Sequence, residues 1–487
     1  METQFNRLLK KTGVYGIVNR VSHPIVFIEG LPKAVTHEII LFESGLKGEV
    51  FSINQGIIEA RLFSHDPVKV GEKVTKTEEI LSIPVGKSLF GQSINPLGEP
   101  IDSTIKFIRP KETREIEGGK PIGIDGREKI TKNLLTGITL IDLLLPLGKG
   151  QRELIVGNRK TGKTSVLLTT IKNQVKEDTV AIYAAIAKKK SDIKKVQEFF
   201  INEKINNKVI MVSTNSYDSP TLIYQTPYAA MTIAEYFRDQ GMNVLVVLDD
   251  LSTHAKFYRE LSLLARRFPG RESYPGDIFF AHSSLLERAG NFKHPKVGEA
   301  SITCLPVVET VEGDLASYIS TNVMGITDGH IYFDSNIYYQ GRRPAVNIPI
   351  SVTRVGRQTL TKLTREINKH VSSFLTQYDR LLNLSHFGQE LTPEVKKTMQ
   401  LGDLIYILFN QPYQEIVPHQ IQLIIISLIL QGVINNKDIL YKLKTSLIKI
   451  YDVPEWRKWM EDISSTNSIK TFNDNVISNK DKLLSLT

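Results

Sequence analysis

A short stretch, VGNRKTGKTS at 156–165, has the residue types and spacing needed to hold a phosphate chain. It contains the pattern G-x-x-x-x-G-K-T between an apolar run that predicts a strand and the run VLLTTI that predicts a helix. The glycines let backbone N–H groups close around phosphate oxygens, and the helix directs its positive N-terminus toward them. Lys163 adds a point charge near the outer phosphates. The sequence therefore predicts a nucleotide site made by Gly157, Asn158, Arg159, Lys160, Thr161, Gly162, Lys163, Thr164 and Ser165.

Two oxygen-bearing side chains predict how Mg²⁺ would accompany the nucleotide. The Thr164 hydroxyl is the ligand that this motif offers to the metal. The apolar run NVLVVLDD at 243–250 predicts a strand that ends in two acids. We choose Asp249 as the carboxylate that holds the water shell of the metal. The expected cofactors are therefore ATP or ADP together with Mg²⁺.

Hydrolysis would need a further carboxylate to activate the attacking water, at the end of the strand that follows the helix of the loop. That strand is predicted at TVAIYAAIA, 179–187, and it is followed by Lys188, Lys189 and Lys190. A lysine cannot accept the proton of water at neutral pH unless it is strongly desolvated. The sequence therefore predicts a loop that holds nucleotide without efficiently hydrolysing it.

Hydrophobic patterns along the chain predict three domains. Short strands at 14–82 favour an N-terminal β-barrel over 1–82. Strands that alternate with helices favour an α/β P-loop nucleotide-binding domain with a parallel sheet over 83–360. Helical spacing favours an α-helical domain over 361–487, in which LIIISLIL at 423–430 is a buried helix too short to span a bilayer. We expect the polar stretch 465–484 to pack loosely.

Composition excludes several classes of protein. The chain has 487 residues, and its one cysteine, Cys304, rules out an internal disulfide and reads as a small core residue. The N-terminus has no apolar segment of a secretion signal. The net charge of +9 would suit nucleic acid, an acidic membrane surface or an acidic partner. Because the lysines are scattered and no RNA-reading motif is present, we interpret the charge as a solvated surface and expect no nucleic-acid partner.

Several longer stretches resemble the α subunit of F-type ATP synthases, and the resemblance covers nearly the whole chain from about residue 16. They are GQRELIVGNRKTGKTS, LDDLSTHAKFYRELSLLARRFPGRESYPGDIFFAHSSLLERAG, LPVVET, TNVMGITDGHIYF and GRRPAVNIPISVTRVG. The β subunit fits less well, because its loop is richer in glycine and valine and a glutamate stands where this chain has Lys188.

The resemblance implies a RecA-like fold for the central domain and a subunit of an ATP synthase or rotary ATPase. Three α and three catalytic β subunits would alternate in a ring around a central γ-type shaft, with nucleotide at each interface. The α sites would bind Mg-ATP without turning it over, so this chain would be non-catalytic by itself. It would lie at the cytoplasmic side of the cell membrane, or at the matrix-facing equivalent in an organelle, and would meet the membrane only through partners.

The resemblance also assigns roles to residues near the end of the central domain. Arg354, in SVTRVG, matches the arginine that reaches into the catalytic site of the neighbouring β subunit, where a guanidinium neutralises transition-state charge. Ser351 lies in the same predicted strand and would help to place that arginine. Arg343, in GRRP, matches the residue that lines the α subunit's own nucleotide pocket, although Arg342 competes for this position.

Other positions depart from the family pattern. Asn158 and Lys160 replace a usual aspartate and glutamine and make the loop more positive. Gly325 replaces a serine, and Thr353 replaces another. The glutamines that the family places beside adenine align poorly with FNQPYQ at 409–414, where Asn410 or Gln411 would have to replace them.

The N-terminal arm leaves the function open between two rotary machines. Only about fifteen residues precede the predicted barrel, whereas family members have a longer helical arm that binds a δ-type stator subunit, so a stator contact is doubtful. The shaft-facing segment SHFGQELT, 385–392, is retained. The alternatives are an ordinary proton-driven ATP synthase and a specialised motor that hydrolyses ATP to drive surface motility or export. A homohexameric RNA translocase is the third alternative, which the whole-chain resemblance and the missing carboxylate oppose.

Overall fold

A computed structural model describes residues 3–102, 107–117, 122–385 and 392–486. Most of the segment SHFGQELT therefore lies outside the described residues. The chain divides into two compact units, which are described separately. The first comprises Met1–Lys129, Asp178–Thr310 and Asp314–Thr327, and the second comprises Ile130–Glu177, Val311–Gly313 and Asp328–Thr487.

The elements have the following bounds. The strands are β1 (Tyr15–Ser22), β2 (Ile25–Glu29), β3 (Glu38–Phe42), β4 (Lys47–Asn54), β5 (Ile57–Leu62), β6 (Lys73–Ile80), β7 (Ser82–Pro84), β8 (Ser93–Ile94), β9 (Thr113–Glu115), β10 (Asn133–Leu134), β11 (Leu147–Gly148), β12 (Glu153–Asn158), β13 (Val180–Lys188), β14 (Val209–Asn215), β15 (Val244–Asp249), β16 (Gly290–His294), β17 (Gly298–Thr310), β18 (Gly329–Phe333) and β19 (Val352–Thr353). The helices are α1 (Gln4–Thr12), α2 (Thr139–Leu144), α3 (Lys163–Lys176), α4 (Lys190–Asn202), α5 (Pro220–Asp239), α6 (Leu251–Leu264), α7 (Ile278–Leu286), α8 (Tyr318–Ile326), α9 (Ser335–Tyr339), α10 (Lys362–Ser385), α11 (Pro393–Phe409), α12 (His419–Leu430), α13 (Lys437–Ile450), α14 (Pro454–Ser464), α15 (Ile469–Ser478) and α16 (Lys480–Leu484). Short 3-10 turns lie at Lys87–Leu89, Ile124–Gly126, Asn206–Lys208, Arg271–Ser273 and Gly356–Thr359.

The first unit begins with the predicted β-barrel, which closes in the order β1-β2-β5-β4-β3-β6. Alternating apolar residues of these strands point inward and form one cluster that includes Val26, Ile40 and Val74. Strands β4 and β5 form a hairpin around Gln55 and Gly56, both with positive φ, as a tight two-residue turn requires. The β-barrel prediction is confirmed.

The same unit contains a parallel sheet in the order β17-β15-β13-β14-β8, with β16 antiparallel to β17. Its central strands are continuous apolar runs because helices pack against both faces. Cys304 lies fully buried on β17, as predicted. All four strands read from the sequence in this region, including β12 of the second unit, are present.

The second unit joins a short sheet to the C-terminal helices. Strand β18 pairs in parallel with β12 and antiparallel with β19. The unit continues through α10–α16, and no strand follows β19 in the described part of the chain. A barrel, an α/β region and a helical C-terminal region together confirm the predicted fold class, while the domain boundaries at 82 and 360 stay predictions.

The helical region contains one confirmed prediction and one wrong one. The run at 423–430 lies inside α12 and is buried, apart from a partly covered Leu430. The stretch 465–484 does not pack loosely, because it forms α15 and α16 and buries Phe472, Val476 and Leu483 completely. These three buried side chains recur at helical spacing within a mostly polar sequence, so composition alone does not reveal them. Among the helices that the structure describes, none is both long and apolar enough to cross a bilayer.

Candidate functional site

The phosphate loop joins β12 to α3 in the second unit, as the sequence predicts. Gly157 has a φ of +152°, and a Cβ there would lie 2.3 Å from the carbonyl oxygen of Phe333 on the neighbouring strand. Gly162 has a φ of +94° and precedes the first residue of α3. Both positions therefore need glycine, the first for close packing and the second for its backbone conformation.

Two side chains of the loop brace its backbone. The Asn158 amide donates to Ser335 Oγ at 2.9 Å and accepts the N–H of Gly313 at 2.7 Å. The Thr161 hydroxyl donates to the carbonyl of Asn158 at 2.7 Å. Asn158, one of the departures from the family pattern, thus ties the loop to two neighbouring segments.

The cationic side chains of the loop occupy different environments. Lys163 is buried, and its ammonium donates to the carbonyls of Gly157 at 2.8 Å and Asn158 at 2.5 Å. Arg159, Lys160 and the hydroxyl-bearing Thr164 are exposed. The arrangement concentrates positive charge where the N-terminus of α3 begins, which favours an anionic ligand.

A cavity of about 210 Å³ opens beside the loop within the second unit. Arg343 lines it, with its guanidinium 3.5 Å above the ring of Tyr338. Arg342 instead lies over Tyr406 and lines a neighbouring cavity of about 200 Å³, which Arg343 also lines. Of the two arginines that the sequence left in competition, Arg343 lines the cavity beside the loop and Arg342 does not. The lining of the first cavity consists of Ile138, Thr161, Gly162, Ser165, Val166, Thr169, Tyr338, Arg343, Pro344, Gln411, Pro412, Tyr413 and Glu415.

Sequence reasoning missed the aromatic wall of this cavity. Tyr338 and Tyr413 both line it, and neither was selected as a site residue. Tyr413 lies within the motif FNQPYQ, in which the sequence-based prediction considered only the amide side chains. Tyr338 follows a strand end on the short helix α9, a signal too weak to identify it.

The predicted metal carboxylate lies in the first unit, in a buried ionic cluster at the ends of β13 and β15. Lys188 Nζ lies 2.7 Å from Asp249 Oδ1 and 3.0 Å from Asp250 Oδ2. The Tyr183 hydroxyl donates to Asp249 Oδ2 at 2.5 Å. Burial alone would lower the pKa of Lys188, but the two carboxylates raise it above its ordinary value. Burial and the Asp249 charge raise the pKa of Tyr183 as well.

These contacts bear on how well Mg²⁺ fits the predicted ligands. An exposed hydroxyl at the first turn of α3, that of Thr164, suits the motif. A carboxylate also suits Mg²⁺, yet both oxygens of Asp249 already accept hydrogen bonds from Lys188 and Tyr183. As it stands, Asp249 would meet a metal ion only through water or after Lys188 moves.

Arg354 and Ser351 lie near β19 in the second unit. Arg354 is exposed, and its backbone N–H donates to the carbonyl of Asp328 at 3.2 Å. Ser351 is buried, donates to the carbonyl of Asn347 at 2.7 Å and accepts the N–H of Tyr332 at 3.0 Å. Ser351 therefore fixes the segment that leads to the exposed Arg354.

Comparison with known proteins gives consistent results. The family model described as "ATP synthase alpha/beta family, nucleotide-binding domain" matches residues 137–353. The model described as "ATP synthase alpha/beta chain, C terminal domain" matches residues 360–479. The ATP synthase subunit alpha of Clostridium acetobutylicum is 38% identical over 425 residues, which cover 87% of this chain and 84% of the relative. The ATP synthase subunit alpha of Carsonella ruddii is 40% identical over a match that covers 82% of this chain and 85% of the relative. The ATP synthase subunit alpha of Clostridium botulinum is 39% identical over a match that covers 84% of this chain and 81% of the relative.

Proposed function

Since this chain belongs to the family of ATP synthase α subunits, we propose that it is a non-catalytic, nucleotide-holding subunit of a rotary F-type ATPase headpiece. One observation carries the non-catalytic assignment. The end of β13, where a water-activating carboxylate would be needed, bears Lys188, and its ammonium is paired with Asp249 and Asp250. A protonated lysine with a raised pKa cannot serve as a general base.

The ligand of this chain is ATP or ADP with Mg²⁺. The loop backbone and Lys163 bind the phosphates, and Arg343 lines the cavity beside them. Mg²⁺ balances the phosphate charge when bound, with Thr164 as the protein hydroxyl that would hold it. Asp249 is the proposed carboxylate of its water shell, in competition with Lys188.

The partners are β-type catalytic subunits in an alternating hexamer around a γ-type shaft, and the membrane is reached only through partners. Arg354 is donated to the catalytic site of the neighbouring β subunit. Its exposure supports this role, since an arginine that acts on another chain must project from its own. Ser351 is the positioning residue, because its two hydrogen bonds hold the segment before Arg354.

Substitution of Arg354 tests this assignment. In the hexamer assembled with its β-type partner, Arg354→Ala should lower ATP turnover by about 10³-fold while leaving assembly intact, because a trans arginine stabilises transition-state charge. Arg357→Ala is the matched control, since Arg357 is exposed in the next turn of the same segment. If Arg354→Ala and Arg357→Ala change ATP turnover equally, Arg354 is not donated to the catalytic site of the β subunit.

A second candidate is an α-type subunit of a specialised motor that drives another process, and one observation favours it. Gly325 stands where the family has serine, and a Cβ added there would meet no atom within 4 Å, so packing does not impose the glycine. Native mass spectrometry of the endogenous complex separates the candidates. A δ-type stator and a membrane ring bound to the hexamer would indicate an ATP synthase, and unfamiliar proteins in their place would indicate the specialised motor.

A further inference from the structure

We propose that Gln151 is a positioning residue for Arg354. The proposal rests on the donation of Arg354 proposed above and adds a residue that acts on this arginine from within the same chain. It follows from a set of buried hydrogen bonds that joins the turn between β11 and β12 to the residue before Arg354. All of these residues lie in the second unit.

Strand β19 by itself gives Arg354 little support. It contains two residues and pairs with β18 through Gly329 with Thr353 and His330 with Val352. Thr353 is buried and Arg354 is exposed, as expected for successive residues along a strand. The geometry of an exposed functional side chain depends on how firmly its neighbours are held. The buried side chains beside Arg354 must therefore fix its backbone.

Thr353, the residue before Arg354, is held by two hydrogen bonds. Its hydroxyl donates to the carbonyl of Pro146 at 2.9 Å and accepts the amide nitrogen of Gln151 at 3.2 Å. Thr353 is 6% exposed, so these bonds are shielded from competing water. They fix the position of the residue from which the chain enters Arg354.

Gln151 is itself held at both ends of its amide. The amide oxygen accepts the backbone N–H of Gly148 at 2.8 Å, and the nitrogen donates to Glu153 Oε2 at 2.6 Å as well as to Thr353. Both amide hydrogens are thus used, in a side chain that is fully buried. Because Gly148 belongs to β11 and Glu153 to β12, Gln151 joins two strands to Thr353.

Close packing in the sheet keeps the carboxyl group of Glu153 in place. Glu153 lies beside Gly329 in the parallel pairing of β12 with β18, and a Cβ at Gly329 would lie 2.7 Å from Glu153 Oε2. A larger residue there would displace the oxygen that accepts from Gln151. Gly329 thus makes room for this acceptor and also pairs with Thr353, the residue that the amide holds.

The segment after Arg354 packs against the same carbonyl that accepts from Thr353. A Cβ at Gly356 would lie 1.6 Å from the carbonyl oxygen of Pro146 and 2.8 Å from Thr353 Oγ1, so the close approach requires glycine. Contacts with Pro146 therefore hold the chain on both sides of Arg354, and the Gln151 amide adds the second hydrogen bond to Thr353.

Gln151 and the phosphate loop lie at opposite ends of β12. Gln151 precedes the strand, whereas Gly157 lies near its end. At about 3.3 Å per residue of strand, the two are roughly 20 Å apart. Loss of the Gln151 amide should therefore lower turnover at the neighbouring catalytic site without weakening nucleotide binding at this chain's own loop.

Steady-state ATP turnover of the hexamer assembled with its β-type partner tests the proposal. Gln151→Leu should lower kcat by about ten-fold or more and change KM by less than about two-fold, because a displaced arginine loses transition-state interactions. Gln422→Leu is the matched control and should keep the parent kcat. Gln422 is also fully buried in the second unit, and its amide also donates to a buried carboxyl group, that of Asp142, at 2.9 Å.

A double substitution separates positioning from a general loss of stability. In the Arg354→Ala hexamer, Gln151→Leu should change turnover by less than about two-fold, because the group that it positions is gone. Displacement of a fluorescent ADP analogue from the isolated full chain should match the parent. Thr353→Val, which removes the hydroxyl but keeps a similar shape, should lower kcat as Gln151→Leu does, and Thr353→Ser should recover it.

The outcomes that would overturn the proposal leave the donation of Arg354 testable separately. If Gln151→Leu and Gln422→Leu change kcat equally, or if Gln151→Leu slows the Arg354→Ala hexamer as much as the parent, Gln151 does not position Arg354 and the donation still stands. If the Gln151→Leu hexamer does not assemble, equal turnover of Thr353→Val and Thr353→Ser overturns the proposal. If Arg354→Ala turns over as fast as Arg357→Ala, the donation is wrong and both proposals fail.

Discussion

The paired charges of the first unit and the charges of the phosphate loop in the second unit are held in opposite ways. The first unit buries ionisable groups and pairs them internally, as with Lys188 between Asp249 and Asp250. Its barrel also contains Arg61 and Glu49, both fully buried, 3.6 Å apart, with the guanidinium 3.0 Å from the ring of Phe51. The second unit keeps Arg159 and Lys160 of the phosphate loop exposed at the start of α3.

The difference separates structural charges from ligand-binding ones. A buried charge that is paired within the protein stabilises the fold only while its partner is present, because the desolvated partner is costly alone. A charge on an exposed loop at a helix N-terminus costs little to keep and gains from an anionic ligand. The comparison predicts that substitutions in the first unit act on stability and that those around the loop act on binding.

The largest expected effect of this kind is that of Lys188→Ala. Removal of the ammonium leaves Asp249 and Asp250 buried without their cation, and the free energy of local unfolding of β13 and β15 should fall by about 3–5 kcal/mol. Amide hydrogen exchange followed by mass spectrometry measures this opening. Lys189→Ala, at the exposed neighbouring residue, should change it little. If the two variants protect the amides of β13 and β15 from exchange equally, Lys188 behaves as a surface charge and the contrast between the two regions is wrong.

Acid should weaken the first unit through a pair of buried histidines. His254 Nδ1 lies 3.3 Å from His282 Nε2, and burial lowers their pKa values to about 4 and about 3. Above pH 6.5 both are neutral in the folded and unfolded states. Below pH 6.5 these histidines bind protons in the unfolded chain but not in the folded chain. The free energy of unfolding therefore falls by up to about 1.4 kcal/mol per pH unit for each histidine, until the pH reaches the pKa of that histidine in the folded chain.

The variant His282→Gln checks the sign and the source of this effect. Its unfolding free energy, measured by urea denaturation between pH 7 and pH 4, should depend less steeply on pH than that of the parent chain. His370→Gln, at an exposed position on α10, is the control and should keep the parent slope. A slope that His282→Gln leaves unchanged would mean that the pair does not cause the acid sensitivity.

The smallest expected effect sets a baseline for substitutions away from any charge. Gly325 lies in α8, where an added Cβ would meet no atom within 4 Å outside the backbone of its own helix, so Gly325→Ala should stabilise the helix by about 0.5–1 kcal/mol through the lower entropy of the unfolded chain. Thermal denaturation of the full chain measures the gain. Destabilisation would show that the glycine has a steric or conformational role that its surroundings do not reveal.

Local sequence patterns predicted much of the fold and part of the candidate site. The phosphate loop, its flanking strand and helix, the barrel strands and the buried helix at 423–430 were all readable, because each depends on spacing within a few residues. The stretch 465–484 was misread since its three buried apolar residues are diluted by polar neighbours. The hydrogen bonds of the amides of FNQPYQ could not be predicted from the sequence, because the partners of such a side chain lie far along the chain, as with Gln411 and Thr139.

The sequence by itself determined the family, the order of elements and the position of the phosphate loop, since these follow from residue types at fixed local intervals. Tertiary structure alone decided which of two adjacent arginines lines the cavity, that Gln411 is committed within the protein, and that Lys188 is held by Asp249 and Asp250. The physical reason is common to all three. A polar side chain's role depends on which partners satisfy its charge and hydrogen bonds, and folding brings those partners from distant parts of the chain.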